Sequence, residues 1–308
     1  MTTKTKRAVV VGGGTMGSGI ALVFAAGGWE VDLIEPSADV RARLPAYLQE
    51  SLQRMASGAD ADRIRILTSF ADVAWSDVAL VAESAFEDID VKRRIFAELE
   101  RLAPPDIPLT SNSSSLLISN IGQGLKTQSR MLGLHFLMPA QFVPLVEVIG
   151  SEFTAPDLLD RICGLMRELG KRPVRVNKDL IGFLVNRIQA ALMREAIALV
   201  DQGVASAADI DAAVRYGFGF RYAACGPITQ KEHSGWDISC KLYREVFPTL
   251  CNDDKPAAVL ERMIAAGHFG MKSGQGFMPW DDAAIAREKA RYEKALRAAL
   301  DILEADIV

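Results

Sequence analysis

The chain is short of the residues that build metal and disulfide sites. It has three histidines and four cysteines among 308 residues. The histidines are not grouped, so no metal site is expected. Cys163, Cys225, Cys240 and Cys251 show no C-x-x-C spacing, and reduced thiols in a cytoplasm are the expectation. Basic residues do not dominate either: 35 Lys and Arg face 39 Asp and Glu, for a net charge of −4. With no long basic run, nucleic acid is excluded as the main partner. No stretch approaches the ~20 apolar residues of a membrane span. The first apolar run is interrupted by glycines and does not read as a signal peptide. What is plentiful is apolar content, 49%, enough to core two domains or one large one.

That first run carries the strongest motif. Ala8-Val-Val-Val11 has the look of a buried parallel strand, and Gly12, Gly14 and Gly17 fit G-x-G-x-x-G. Gly12 permits the tight turn, Gly14 lets backbone approach a pyrophosphate, and Gly17 lets the following helix pack close. Thr15 and Met16 complete the turn, at a helix N-terminus suited to an anion. A second strand, Glu30–Ile34, ends in Glu35, 18 residues after Gly17. A carboxylate there accepts ribose hydroxyls and repels a 2′-phosphate, so NAD is expected rather than NADP. Arg41 and Arg43 are the nearest arginines after it. The alternative is a structural strand–turn–helix with no ligand.

The rest of the first half alternates strands with helices. Strands are expected at 7–11, 30–34, 65–67, 78–82, 107–110, 131–136, 145–149 and 172–176, with helices at 15–27, 37–56, 90–102, 116–122 and 155–169. This is an α/β pattern, a doubly wound and mostly parallel sheet of the Rossmann kind. After Asn177 only helices are expected, at 180–203, 206–215, 235–246, 254–267 and 282–306. The reading is a dinucleotide-binding domain at 1–178 and an all-α domain at 179–308.

Three further segments carry chemistry: Thr110–Ser115, Gly133–Val148 and Asp179–Arg187. His135 ends an expected strand, and Glu147 follows 12 residues later near the end of the next. Adjacent strands would set the carboxylate beside the imidazole, fixing its tautomer and stabilising its protonated form. The competing reading of His135 is a satisfied structural histidine. Ser114 is either a polar active-site group or a cap for a helix near Leu116. Asn186 is either an active-site amide or one bonded to backbone, and Lys92 alone reads as a solvated helix residue.

The chain resembles the 3-hydroxyacyl-CoA dehydrogenase family over nearly its whole length. The resemblance rests on Gly12–Gly17, Ser111–Leu116, Gly133–Phe136, Leu145–Val148, Gly182–Arg187 and Gly270–Phe277, in that order and spacing. It implies a Rossmann domain, a helical domain that dimerises, and NAD-linked oxidation of a 3-hydroxyl. His135 would be the general base and Glu147 its partner. Ser114 would bond the substrate oxygen and Asn186 the carbonyl, while Glu87 and Lys92 would line the nicotinamide side.

Departures bear on the substrate. The stretch Pro36–Ile64 is shorter than its counterpart in the CoA enzymes, and its end, Ala56–Asp62, is small, acidic and free of lysine. Met138 stands where those enzymes usually have asparagine. Gly217–Pro227 looks like the branch holding lambda-crystallin, also an L-gulonate dehydrogenase, and carnitine dehydrogenase. Arg221 is then a candidate clamp for a substrate carboxylate, or else pairs with an internal acid. Lys231, Glu232 and His233 either line a polar pocket or form an exposed helix end. A free 3-hydroxy acid is favoured, with the acyl-CoA thioester as the alternative. A non-catalytic dinucleotide-binding protein is the alternative of another class, and a lysine-based dehydrogenase sharing the first motif is a third.

Overall fold

The computed structural model describes residues 6–55 and 58–305 (position 304 by backbone alone). Residues 1–5, Ala56 and Ser57 of the small acidic stretch, and the last expected helical position, 306, lie outside them. Two compact units divide between Arg187 and Ile188, nine residues beyond the boundary expected at 178. The helix α6 (Val185–Asp201) spans that division.

The first unit is built on an eight-stranded sheet. Its strands are β1 (Arg7–Val11), β2 (Glu30–Ile34), β3 (Ile64–Leu67), β4 (Val78–Glu83), β5 (Leu109–Ser111), β6 (Met131–Phe136), β7 (Leu145–Ile149) and β8 (Arg172–Val176). They lie in the order β3-β2-β1-β4-β5-β6-β7-β8. The eight runs expected from sequence are all strands, with β5 shifted towards Ser111. Helices cover both faces, which is why β1 is apolar at consecutive positions. On one face α1 (Thr15–Ala26), α2 (Ala38–Met55) and α5 (Pro156–Glu168) pack through Phe24, Leu48 and Ile162. On the other, α3 (Ile89–Leu102) and α4 (Ile118–Ile121) pack through Phe96 and Ile121.

The strand order reverses between β1 and β4, and the C-terminal ends of these parallel strands open into a cleft at that point. One pairing departs from parallel. β7 runs back along β6, which places Glu147 directly opposite His135. The connection between these strands is fastened from below by Lys171. Its Nζ donates to Ala140 O at 2.6 Å and Val143 O at 2.8 Å. Burial lowers this lysine's pKa to about 8.

Asp32 shows how a charge is accommodated inside β2. It is fully buried. Arg7 Nη1 donates to it at 2.8 Å, and Arg65 grips both oxygens through Nε and Nη2 at 2.8 Å. The fork ties β3 to β2 and β1 with fixed geometry.

The second unit holds the rest of α6, then α7 (Ala207–Ala212), α8 (Pro227–Glu232), α9 (Trp236–Val246), α10 (Ala258–Ala265) and α11 (Asp282–Ala305). Apart from isolated bridges at Gly270–Pro279 it has no extended pairing among the described residues. α8 was not expected from the sequence as a helix of its own; Pro227 opens it at the first turn. α6 begins five residues later than expected. Gly182 and Phe183 both take positive φ, 79° and 48°, which no α-helix can pass through.

Replacing Asp32 by alanine should cost about 3 kcal/mol, because it strands two guanidinium groups at a partly buried site. Urea unfolding of the variant measures this, and an unchanged midpoint would contradict the role given to the fork.

Candidate active site

The cleft at the sheet's C-terminal edge has a volume of about 950 Å³. Gly12, Gly14, Thr15, Met16, Glu35, Glu87 and Ser114 all line it. The glycine turn fits a dinucleotide for reasons visible in its packing. Gly12 has φ +100°, and an added Cβ would sit 2.6 Å from Ser84 O. A Cβ on Gly17 would come within 1.8 Å of Gly12 O, so α1 reaches the turn only through glycine. Gly14 is different: a Cβ there meets nothing within 4 Å. That open space at the N-terminus of α1 is the cradle a pyrophosphate needs. Glu35 is held at the rim. Its Oε2 accepts Gly13 N at 2.8 Å and its Oε1 accepts Ser37 N at 2.7 Å. Arg41 turns away onto Glu35 O and Pro36 O, at 2.8 and 2.6 Å.

A histidine, a glutamate and a serine gather beside this cleft. His135 Nδ1 lies 2.7 Å from Glu147 Oε2, and its Nε2 lies 3.1 Å from Ser114 Oγ. The carboxylate requires a proton on Nδ1, which leaves Nε2 free to accept one. Glu147 is fully buried, and its other oxygen accepts Leu184 N at 2.8 Å and Val185 N at 3.0 Å. Burial pushes its pKa up, but His135 and these two N–H groups outweigh that and lower it. Asn186 stands one residue on, in the first turn of α6. Its amide makes no side-chain hydrogen bond among the described residues, so the alternative of an amide spent on backbone is not what is seen.

A second ionic group lies under the serine loop. Lys92 is 1% exposed, which overturns its reading as a solvated helix residue. It donates to Glu83 Oε1 at 2.7 Å and lies 3.5 Å from Glu87 Oε2. It does not line the cleft; it sits behind Glu87, as Gly17 sits behind the glycine turn. Glu87 Oε1 accepts Ser113 Oγ, Ser114 N, Ser115 N and Ser115 Oγ, at 2.6 to 2.9 Å. Burial raises the Glu87 pKa, but the Ser113 and Ser115 bonds and Lys92 bring it down to about 2. Its folded-state pKa is depressed, so its contribution to stability is present at neutral pH and is lost as pH falls from about 4.5 to about 2. The helix-capping role considered for Ser114 is not seen: α4 has Leu117 at its N-cap and no side-chain cap, and Ser113 Oγ accepts Leu116 N at 2.9 Å within the loop before it.

Four residues of the site were not singled out from sequence. Glu83 ends the apolar run of β4 as Glu35 follows that of β2, and the same signal could have found it. Asn112 Oδ1 accepts Phe136 N at 2.7 Å, joining the serine loop to the end of β6. Phe183 stacks obliquely on His135, with ring centroids 5.4 Å apart. Lys171 left no sequence signal. Arg221, in the second unit, is exposed. In the same unit Glu232 accepts Trp236 Nε1, which ties α8 to α9.

Fold and cleft together define a nicotinamide-dependent dehydrogenase, and a buried histidine–glutamate pair lies beside its serine loop. Comparison with known proteins makes the class specific. Residues 7–180 match the NAD-binding domain of 3-hydroxyacyl-CoA dehydrogenase and residues 182–280 its C-terminal domain. The chain belongs to the 3-hydroxyacyl-CoA dehydrogenase family and is an NAD-dependent oxidoreductase. A 5-formyl-3-hydroxy-2-methylpyridine 4-carboxylate 5-dehydrogenase of Mesorhizobium japonicum is 33% identical over 95% of this chain and 97% of its own. The human mitochondrial hydroxyacyl-coenzyme A dehydrogenase is 33% identical over 88% of this chain and 90% of its own. Rabbit (Oryctolagus cuniculus) lambda-crystallin is 35% identical over 71% of this chain and 72% of its own. Among solved structures, a dehydrogenase of that same formylpyridine carboxylic acid, described as an NAD⁺-dependent dismutase, matches with a TM-score of 0.91. It is 29% identical over 97% of this chain and 99% of that one.

Gly14→Ala should leave thermal unfolding close to the parent while weakening NADH at least about tenfold, a loss of roughly 1.4 kcal/mol. Gly17→Ala should lower the unfolding temperature itself. Fluorescence titration and a thermal melt separate the two; equal behaviour of both variants would contradict the cradle.

Proposed function

We propose that this dehydrogenase oxidises a small free carboxylate rather than a CoA thioester. The observation that carries the reading lies between β2 and β3, where the CoA enzymes have their longer excursion. This stretch has no lysine, and each of its arginines is engaged within the protein. Arg41 and Arg43 bond backbone carbonyls, Arg54 pairs with Glu50, and Arg63 pairs with Glu30. No free cation is left there for the phosphates of CoA. Met138, 69% exposed and three residues past His135, supplies no amide for a thioester carbonyl. The exposed guanidinium of Arg221 suits the carboxylate of a free acid.

The proton chemistry follows from the pair at β6 and β7. Ser114 Oγ and His135 Nε2 bracket the substrate hydroxyl. His135 Nε2 takes the hydroxyl proton, and Glu147 stabilises the resulting imidazolium without moving. Ser114 holds the oxygen through the change from carbinol to carbonyl. NAD⁺ held by the Gly12–Gly17 turn and Glu35 would supply the hydride acceptor for the carbinol carbon. The formyl substrate in the relative's name favours a second use of the same groups. A hydrated aldehyde carries a carbinol hydroxyl too, and losing one proton to His135 and one hydride makes it a carboxylic acid.

A second copy of the chain as partner is supported by the second unit. Of its described residues only Ala198 and Ser239 are buried, whereas Phe220, Trp236, Ile238, Leu242 and Phe247 are exposed. Helices this apolar need another surface to cover them, and a homodimer is the reading this supports.

NAD⁺ reduction with 3-hydroxybutyryl-CoA, free 3-hydroxybutyrate, L-gulonate, L-carnitine and 5-formyl-3-hydroxy-2-methylpyridine 4-carboxylate tests the substrate class. Turnover of one or more free acids is expected; turnover of the thioester alone would overturn the reading. His135→Gln should lower kcat at least about a hundredfold, the usual worth of a general base, with NADH affinity nearly unchanged. In light scattering the protein should run at twice its 33.5 kDa chain mass, and a monomer would refute the dimer.

A further inference from the structure

We propose that Lys171 is a positioning residue for the His135–Glu147 pair, acting through the connection between β6 and β7. The inference rests on the reading of His135 as the base. Asp32, Glu83 and Glu147 are buried against ionisable partners: Arg7 and Arg65, Lys92, and His135. Lys171 is buried too, but its ammonium meets main chain, Ala140 O at 2.6 Å and Val143 O at 2.8 Å. A methionine would fill the same space without the cost of burying a charge. It would not supply two hydrogen bonds from a charged donor, each roughly twice as strong as a neutral one.

The two carbonyls belong to a segment that joins the two members of the pair. The connection, residues 137–144, begins two residues after His135 and ends three before Glu147. Its turn closes where Phe142 N and Val143 N both donate to Pro139 O at 3.0 Å. The turn also presses on α1: a Cβ added to Gly19 would come within 3.1 Å of Ala140 Cβ. Lys171 is itself fixed by its main chain. Its N–H donates to Met166 O at 2.9 Å, in the last turn of α5, and the next residue, Arg172, donates its N–H to Pro144 O at 2.8 Å. The connection is thereby tied to α5 and β8, and the antiparallel register that sets Glu147 opposite His135 is held with it. A slip of one residue would turn the carboxylate to the other face of the sheet. Smaller shifts matter as well, since misplacing a catalytic group by about an ångström can cost roughly a hundredfold in rate.

The test needs no substrate. The chain has three histidines, so nitrogen-15 histidine labelling gives a sparse spectrum in which His135→Gln identifies the His135 resonances. His135 is buried and its Nδ1 faces a carboxylate, so the Nδ1 proton should resonate at low field. In Lys171→Met it should move upfield as the bond to Glu147 lengthens. Lys171→Gln, which keeps an amide donor, should move it the same way by less, and it serves if the methionine variant folds poorly. NADH affinity by fluorescence should change less than about threefold, well under the tenfold that 1.4 kcal/mol represents. Asp32→Ala is the control for lost stability alone: it loosens a distant part of the same sheet and should leave the His135 proton in place. A proton that stays in place in either folded Lys171 variant, or that moves equally in Asp32→Ala, overturns the proposal. A tenfold loss of NADH affinity overturns it too, because the turn would then act through α1. None of these outcomes depends on His135 being the base; that reading fails separately, if His135→Gln keeps its turnover.

Discussion

One carboxylate organises this site. Glu147 is buried, and a buried charge persists only if its partners replace the water it has lost. Its partners are the imidazole of His135 on one oxygen and the first free N–H groups of α6 on the other. The helix end supplies donors that nothing within the helix can use, together with a favourable dipole. The imidazole of His135 and the start of α6 are therefore set by the same carboxylate, one on each oxygen. The turn that delivers α6 to that carboxylate carries a phenylalanine with positive φ, a conformation that costs a bulky residue free energy. The ring so placed packs on His135 and shields the hydrogen bond to Glu147 from water.

A second ionic group holds the opposite wall, with Lys92 and Glu83 buried and Glu87 open to the cleft. Lys92, Glu83 and Glu87 lie behind the serine loop and take up most of its donors. Ser114 reaches His135 from this side, while Glu147 holds His135 from the other. The two groups belong to different strands and helices, yet they meet across 3.1 Å at Ser114 Oγ and Nε2. Neither imidazole nitrogen is left to chance: Nδ1 is committed to Glu147, and Nε2 faces Ser114 Oγ. The family's chemistry needs just this asymmetry, because a base must start without its proton and hold it stably afterwards.

Much of this was legible in the chain. Short apolar runs separated by helical patterns located the central strands, because strands covered on both faces are apolar at consecutive positions; β8, with Arg172 and Arg175 exposed, is an edge strand. The glycine spacing and Glu35 marked the cofactor cleft. His135 and Glu147 were visible as polar residues in runs that are otherwise buried. Lys92 misled because helical periodicity alone places it among solvated neighbours. Its burial depends on Glu83, nine residues earlier on another element. The start of α6 was set too early because Leu180, Phe183 and Leu184 continue an apolar helical spacing; two positive φ angles and the Glu147 cap decide otherwise.

The sequence by itself determined the fold class and the cofactor, since each depends on local pattern: period, glycine placement, an acid after a strand. Tertiary structure decided what the charges do. Which carboxylate holds the base, which clamps the serine loop and which arginines are spent on their own neighbours depends on distances between residues far apart in the chain. Electrostatic pairing falls off within a few ångströms and is reset by burial. Spacing along the sequence cannot report it until the sheet has brought the partners together.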